Sequence, residues 1–127
     1  MLFKKPVYAI KRKVLRMILE ASRDVYPKEF GAILRAEEGV ITEILLIPGT
    51  VSGNRHAIFQ LHMLPADFTV VGTVHSHPSP NHSPSDDDLA LFRKFGGLHI
   101  ITGYPYDENS WAAWKHSGEK IELQVLP

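Results

Sequence analysis

One amphipathic segment near the start of the chain, followed by a series of short β-type segments, most constrains the fold. Apolar side chains recur at helical spacing over residues 10–26. These apolar positions are Val14, Leu15, Ile18, Leu19, Ala21 and Val25. The stripe predicts a helix that packs one face against a core. Pro27 should end the helix, because a proline disfavours helical geometry in the residue before it.

Apolar segments bounded by turn residues predict strands after this helix. They cover residues 29–34, 40–47, 57–61, 69–74, 98–102, 111–115 and 120–125. The proline-rich segment 76–84 predicts a stiff loop, and residues 85–95 predict a short second helix that ends at Gly96-Gly97. This order of elements predicts an α/β fold with a single domain over residues 1–127, in which helices flank a mixed β-sheet.

Composition excludes several classes of site and partner. The 127 residues include no cysteine, which excludes disulfides, thiolate metal sites and a cysteine nucleophile. Fourteen basic and 14 acidic side chains give a net charge of zero, which argues against a strongly basic nucleic-acid binder. No apolar run approaches the ~18 residues of a membrane span, and the first residues lack the features of a signal peptide. We therefore expect a cytoplasmic protein with no membrane or nucleic-acid partner.

Basic residues nevertheless gather near the start of the chain, with no acidic residue among them. They are Lys4, Lys5, Lys11, Arg12, Lys13 and Arg16. This cluster is either a solvated helix face or a patch for an acidic partner, and the sequence leaves both interpretations open.

Chemistry-bearing side chains concentrate after the β-branched segment 69–74. His75 and His77 are two residues apart, so in an extended chain their imidazoles point to the same side. Asp88 follows on the short helix, and two histidines with one carboxylate can form a catalytic zinc site. Ser85 and Asp88 also fit a helix start, with a serine cap and an acid three residues later. The two interpretations are compatible, because a hydroxyl offers one donor and two acceptor sites.

This pattern of residues resembles the signature of the JAMM (MPN-plus) metalloproteases. The shared pattern is His75-Ser-His77, seven residues, then Ser85-x-x-Asp88, with Gly72-Thr73-Val74 before it, Pro78 after the histidines, and Glu29 upstream. The resemblance extends over residues 10–126 and implies the JAMM/MPN fold, with a layout like that of the cytidine deaminases. The chain has little room for the inserted segments of eukaryotic deubiquitinating members, so it is most similar to the minimal prokaryotic, archaeal-like form.

The resemblance also implies a role for each residue of the motif. His75, His77 and Asp88 would ligate one Zn²⁺ per chain. Glu29 would act as the general base towards a zinc-activated water and pass the proton to the leaving amine, while Ser85 would hydrogen-bond the developing oxyanion or orient the water. The implied reaction is hydrolysis of the amide bond between the C-terminal Gly-Gly tail of a ubiquitin-like modifier and a substrate lysine. The implied partners are conjugates of ubiquitin-like proteins.

Two other functions remain open at the level of sequence. Some bacterial relatives use the same zinc chemistry to trim a residue from the tail of a sulfur-carrier protein. Other MPN domains lack metal and act as non-catalytic scaffolds, although here every ligand position is filled. The sequence does not predict the oligomeric state.

Overall fold

The computed structural model describes residues 5–46 and 69–127, and these residues form a mixed sheet with two helices. The strands are β1 (Ala9–Lys11), β2 (Gly31–Glu37), β3 (Val40–Leu46), β4 (Val70–His77), β5 (Leu98–Gly103), β6 (Trp111–Lys115), β7 (Lys120–Ile121) and β8 (Gln124–Leu126). The helices are α1 (Arg12–Val25) and α2 (Asp86–Phe95). The predicted α/β class with a mixed sheet is confirmed.

Strand β4 lies in the interior of the sheet, whose spatial order is β7-β6-β5-β4-β2-β3-β1-β8. It pairs antiparallel with β2 and parallel with β5. Gly72 of β4 faces Leu98 of β5, and a β-carbon at Gly72 would collide with the Leu98 carbonyl oxygen. The close pairing of β4 and β5 therefore requires glycine at this position.

The two helices cover opposite faces of the sheet. Helix α1 buries its predicted apolar stripe in a core that includes Ile100 of β5. Helix α2 packs Leu91 and Phe92 against Ile101, the next residue of the same strand. Because successive strand residues point to opposite faces, the two helices flank the sheet as expected. None of the helices in the described ranges is long and apolar enough to cross a membrane.

Long-range strand pairing changes several of the predicted boundaries. The predicted helix over 10–26 begins only at Arg12, because Ile10 belongs to β1 and pairs with Ile41 and Val125. The predicted strand over 120–125 is two short strands, since β7 pairs with β6 and β8 pairs with β1, at opposite edges of the sheet. Local periodicity carries no information about such partners.

Smaller shifts affect the segments around the histidines. The strand predicted over 29–34 runs from Gly31 to Glu37, and β4 extends to His77, two residues into the predicted loop. The predicted strand 111–115 is confirmed without change. The predicted strand 57–61 lies outside the described residues.

The basic cluster near the start of the chain is partly neutralised. Arg12 and Arg16 each approach Glu108 to 3.6 Å, and Lys5 pairs with Glu38. These contacts favour the interpretation of a solvated, ion-paired surface over that of a patch for an acidic partner.

His99 is a structural histidine of the sheet and is fully buried. Its Nε2 donates to the Gly96 carbonyl oxygen at 2.7 Å, so in the neutral ring Nδ1 accepts from the Thr73 hydroxyl at 2.6 Å. The ring stacks on Phe92 with centroids 4.1 Å apart. Burial is the main reason that the pKa of His99 falls to about 3.

We expect His99 to make the fold sensitive to acid. The His99 imidazole has an ordinary pKa of 6.5 in the unfolded chain and a pKa of about 3 in the folded one. Between these values the unfolded chain binds one more proton, so the free energy of unfolding falls as the pH falls through this window. This group alone should lower the free energy of unfolding by about 2 kcal/mol between about pH 7 and about pH 5. The measurement is urea denaturation of metal-free protein at both pH values.

The variant that tests this account is His99→Gln, which removes the titrating ring. It should reduce the pH dependence of the free energy of unfolding. An unchanged pH dependence in His99→Gln would contradict this account.

Candidate metal centre

Two neighbouring strands fix the position of the His75-Ser76-His77 segment at the end of β4. Gly31 of β2 is the register partner of His75, and Ile101 of β5 lies on the other side. Ser76 donates its backbone N–H to the Phe30 carbonyl oxygen at 2.9 Å, and its hydroxyl accepts from the Phe30 N–H at 2.7 Å. The imidazoles of His75 and His77 therefore lie on one face, with ring centroids 5.2 Å apart.

A capping box at the start of α2 brings Asp88 to the two histidines. The Ser85 hydroxyl accepts from the Asp88 N–H at 3.1 Å, and Asp88 Oδ2 accepts from the Ser85 N–H at 2.9 Å. The predicted helix start at Ser85 is therefore confirmed. The same box holds the Asp88 side chain in a fully buried position, with its carboxylate directed at the histidines.

The three side chains form a cluster that can hold a metal ion. Asp88 Oδ1 lies 2.9 Å from His75 Nε2, and Asp88 Oδ2 lies 2.9 Å from His77 Nε2. One potential ligand atom from each residue lies within 4.8 Å of the other two. Within residues 5–46 and 69–127, this is the one group of three or more such side chains that meets this condition.

The hydrogen bonds of the imidazoles fit a cation between these ligands. His77 Nδ1 donates to the Asn81 carbonyl oxygen at 2.8 Å, which leaves Nε2 directed at the Asp88 carboxylate. The lone pair on Nε2 and the carboxylate oxygen 2.9 Å away repel each other unless a proton or a metal ion lies between them. Both ring nitrogens of buried His75 lack a hydrogen-bond partner among the described residues, because the Asp88 contact is not aligned as a hydrogen bond.

The electrostatics of the cluster favour a positive charge next to the carboxylate. Burial alone would raise the pKa of Asp88, but the imidazoles of His75 and His77 and the Ser85 N–H lower it far below its usual value. Burial opposes the charged form of His77, yet hydrogen bonds to Asp88 and Asn81, with the charges of Asp88 and Glu29, raise its pKa overall. The carboxylate therefore stays ionised and attracts cations.

Glu29, predicted as the general base, lies next to this cluster. Gly31 is paired with His75, and Phe30 is hydrogen-bonded to Ser76, so Glu29, the residue before Phe30, enters this end of the sheet beside the histidine segment. Glu29 is half-buried, and its charge acts on His77. Ser85, the other predicted catalytic residue, is exposed at the helix start and hydrogen-bonded to Asp88. All five predicted site residues thus meet at one end of the sheet.

Sequence reasoning missed the contribution of Tyr106 to this centre. Tyr106 is 1% exposed, and its hydroxyl donates to the His77 carbonyl oxygen at 2.8 Å. Its backbone has a φ of 64°, which is uncommon for a non-glycine residue. The sequence indicates only a turn at this point, because neither the contact nor the backbone angle has a local signal.

Comparison with known proteins agrees with this site. A profile of the prokaryotic homologs of the JAB domain (Prok-JAB) matches residues 11–117. A protein of Haloferax volcanii described as a probable metalloprotease is 41% identical over an alignment of 130 positions, which covers 94% of this chain and 80% of that protein.

Two solved structures are also similar in sequence and fold. A JAB1/MPN domain protein from Archaeoglobus fulgidus is 43% identical with a TM-score of 0.77, and the match covers 94% of this chain and 99% of that one. A structure described as JAMM, a metalloprotease-like zinc site in the proteasome and signalosome, is 40% identical with a TM-score of 0.76, covering 95% and 99%.

Replacing Asp88 tests the metal cluster directly. Asp88→Ala removes one ligand and half of the capping box, so zinc affinity should fall by about 100-fold or more. Loss of the cap should cost about 1 kcal/mol of stability, which melting curves would record. Calorimetric titration of metal-free protein with Zn²⁺ measures the affinity and the stoichiometry.

Asp86→Ala is the matched control, because Asp86 is an exposed acid in the same first turn of α2. It should bind zinc as the parent does. Full zinc occupancy in Asp88→Ala would mean that the third ligand is another residue.

Proposed function

This chain belongs to the family of prokaryotic JAB-domain homologs and has the metalloprotease-like site of that family, and we propose that it is a zinc-dependent isopeptidase. Its reaction is hydrolysis of the amide bond between the Gly-Gly tail of a ubiquitin-like modifier and a substrate lysine, carried out by residues 1–127 as one domain. The observation that carries the proposal is the His75–His77–Asp88 cluster, in which His75 and Asp88 are buried, with the charge of Glu29 acting on His77.

The residues that would hold the zinc ion are Asp88 and the two histidines His75 and His77, whose Nε2 atoms lie 2.9 Å from the Asp88 carboxylate. Two imidazoles and one carboxylate are a ligand set of hydrolytic zinc enzymes. When bound, the zinc ion supplies the Lewis acidity that activates water and polarises the scissile carbonyl group. His77 keeps its tautomer through the Asn81 carbonyl, and Ser85 keeps the Asp88 carboxylate oriented.

Glu29 is the general base of the proposed reaction. Its carboxylate accepts the proton of the attacking water and then donates that proton to the leaving lysine amine, so that the carboxylate is regenerated. Half-burial next to His77 supports this role, since a carboxylate there reaches the reacting groups while solvent is partly excluded.

Ser85 stabilises the negative charge that develops on the carbonyl oxygen. One lone pair of its hydroxyl accepts from the Asp88 N–H, and the hydroxyl proton does not take part in that bond. Donation of this proton to the carbonyl oxygen adds transition-state stabilisation without loss of the helix cap. Exposure of Ser85 supports access of a polypeptide substrate to this donor.

Chelator-sensitive cleavage of a conjugate tests the proposed function. The zinc-loaded protein should release a ubiquitin-like protein with an intact Gly-Gly tail from a substrate lysine, and a metal chelator should abolish the release. Mass spectrometry of the products identifies the bond that is cut. Removal of a residue from a free sulfur-carrier tail, without cleavage of any conjugate, would assign the trimming reaction instead. A folded, zinc-loaded protein that cuts neither substrate would support a scaffold.

Glu29→Gln separates catalysis from metal binding. The variant keeps the size of the side chain but has no carboxylate, so turnover should fall by about 10²- to 10⁴-fold while zinc stoichiometry stays the same. Glu37→Gln is the control, because Glu37 is an exposed residue at the other end of β2. Normal turnover by Glu29→Gln would exclude Glu29 as the general base.

A further inference from the structure

Three of the four tyrosines form a cluster next to the proposed catalytic residues. Tyr26 and Tyr104 have ring centroids 4.8 Å apart, and Tyr106 packs edge-on at 6.1 Å from the first and 6.0 Å from the second. The sequence gives no reason to group them, because Tyr26 follows α1 and the other two follow β5. We call Tyr26, Tyr104 and Tyr106 the tyrosine cluster.

Tyr106 joins this cluster to the metal centre. Its ring is buried beneath the two other rings, and its hydroxyl donates to the carbonyl oxygen of the ligand His77. Gly103, the residue before Tyr104, is the register partner of His77. The cluster therefore borders His77.

Tyr26 and Tyr104 are the outer members and present their rings to solvent. They are 45% and 44% exposed, although each ring packs on two aromatic neighbours. Their backbones are held in place by hydrogen bonds. Tyr104 donates its N–H to the Ser79 carbonyl oxygen at 2.9 Å, and Tyr26, the residue after α1, donates its N–H to the Arg23 carbonyl oxygen. Tyrosine rings held in this way offer a large contact area at a low cost in conformational entropy.

The position of this pair relative to Glu29 indicates which part of a substrate it would meet. Tyr26 lies three residues before Glu29 in the segment that links α1 to β2. In the proposed reaction Glu29 delivers a proton to the leaving amine, so the polypeptide that carries this amine must approach Glu29. The tyrosine pair consequently borders the leaving-group side of the site.

We propose that Tyr26 and Tyr104 form a subsite for the polypeptide that carries the leaving lysine. The methylene stem of that lysine and the residues next to it pack on the exposed ring faces, which are apolar and laterally extended. The subsite rests on the proposed isopeptidase function and extends it, because it assigns recognition of the leaving partner to residues outside the shared motif. No contact with the modifier tail is required for this role.

Two substrates with the same tail but different leaving groups test the subsite. In the first, a peptide ending in Gly-Gly is joined to the lysine of an Ala-Lys-Ala peptide; in the second, the same peptide ends in a methylamide, whose leaving group is only methylamine. Tyr26→Ala and Tyr104→Ala should each raise KM for the branched peptide about five- to tenfold. KM for the methylamide substrate and zinc affinity should stay as in the parent.

Matched variants separate ring contact from general damage. Tyr26→Phe and Tyr104→Phe keep the ring faces and should restore the parental KM for the branched peptide. Tyr8→Ala is the control, because Tyr8 is exposed to a similar extent, at 48%, but lies far from the site. Its backbone N–H donates to the Gly39 carbonyl oxygen, at the opposite end of β2 from Glu29. An equal rise in KM for both substrates, or no rise for either, would overturn the proposal.

A binding measurement distinguishes failure of the subsite from failure of the proposed function. The branched peptide, labelled for fluorescence anisotropy, is titrated into Glu29→Gln protein with and without the tyrosine substitutions. A dissociation constant five- to tenfold weaker in the alanine variants supports the subsite even where the parent cleaves neither substrate. Equal binding by all variants, or no binding to Glu29→Gln protein with both tyrosines intact, overturns it.

Discussion

The burial of the Asp88 carboxylate between two imidazoles is the interaction on which the rest of the site depends. An ionised acid with no exposure would cost several kcal/mol if it had no compensating partners. Here the compensation comes from His75, from His77 and from the N–H of Ser85 at the positive end of helix α2. Because these partners belong to a strand and a helix, the carboxylate is stable only when the end of β4 and the start of α2 meet. The geometry of the site is therefore a consequence of packing α2 on the sheet through Leu91 and the residues beside it.

The topology of the sheet explains why the remaining functional residues gather at the same place. Strands β4 and β5 are parallel, so their carboxyl ends, with His77 and the loop that carries Tyr104, lie at the same end of the sheet. Strand β2 runs antiparallel to β4, so its beginning, next to Glu29, lies at that end as well. Helix α1 ends at Val25, and its cap residue Tyr26 lies just before this point. Three separate parts of the chain thus reach one site because two strands end there and one strand begins there.

The parts of this structure that sequence predicts well are those encoded by neighbouring residues. The Ser85 cap, the shared face of His75 and His77 and the extent of β6 all follow from local spacing. The parts that sequence missed depend on distant partners. Ile10 has the periodicity of a helix but pairs with two strands, and the position of Tyr106 depends on a backbone conformation that no nearby residue specifies. Glu29 falls between these cases. The family resemblance pointed to it, whereas its place beside the histidine segment follows from the pairing of β2 with β4, which no local pattern encodes.

One stiff loop connects His77 of the candidate metal centre to the exposed tyrosines. Residues 78–84 contain three prolines, and two backbone carbonyls of this loop accept hydrogen bonds from other parts of the chain. The carbonyl of Asn81 accepts from His77 Nδ1 and so fixes which ring nitrogen faces the cluster, while the carbonyl of Ser79 accepts from the Tyr104 N–H. Tyr106 closes the connection, because its hydroxyl returns to the carbonyl of His77. A shift of this loop would change the His77 tautomer and the position of the tyrosine rings together, so the loop keeps His77 and the proposed leaving-group subsite in a fixed relation.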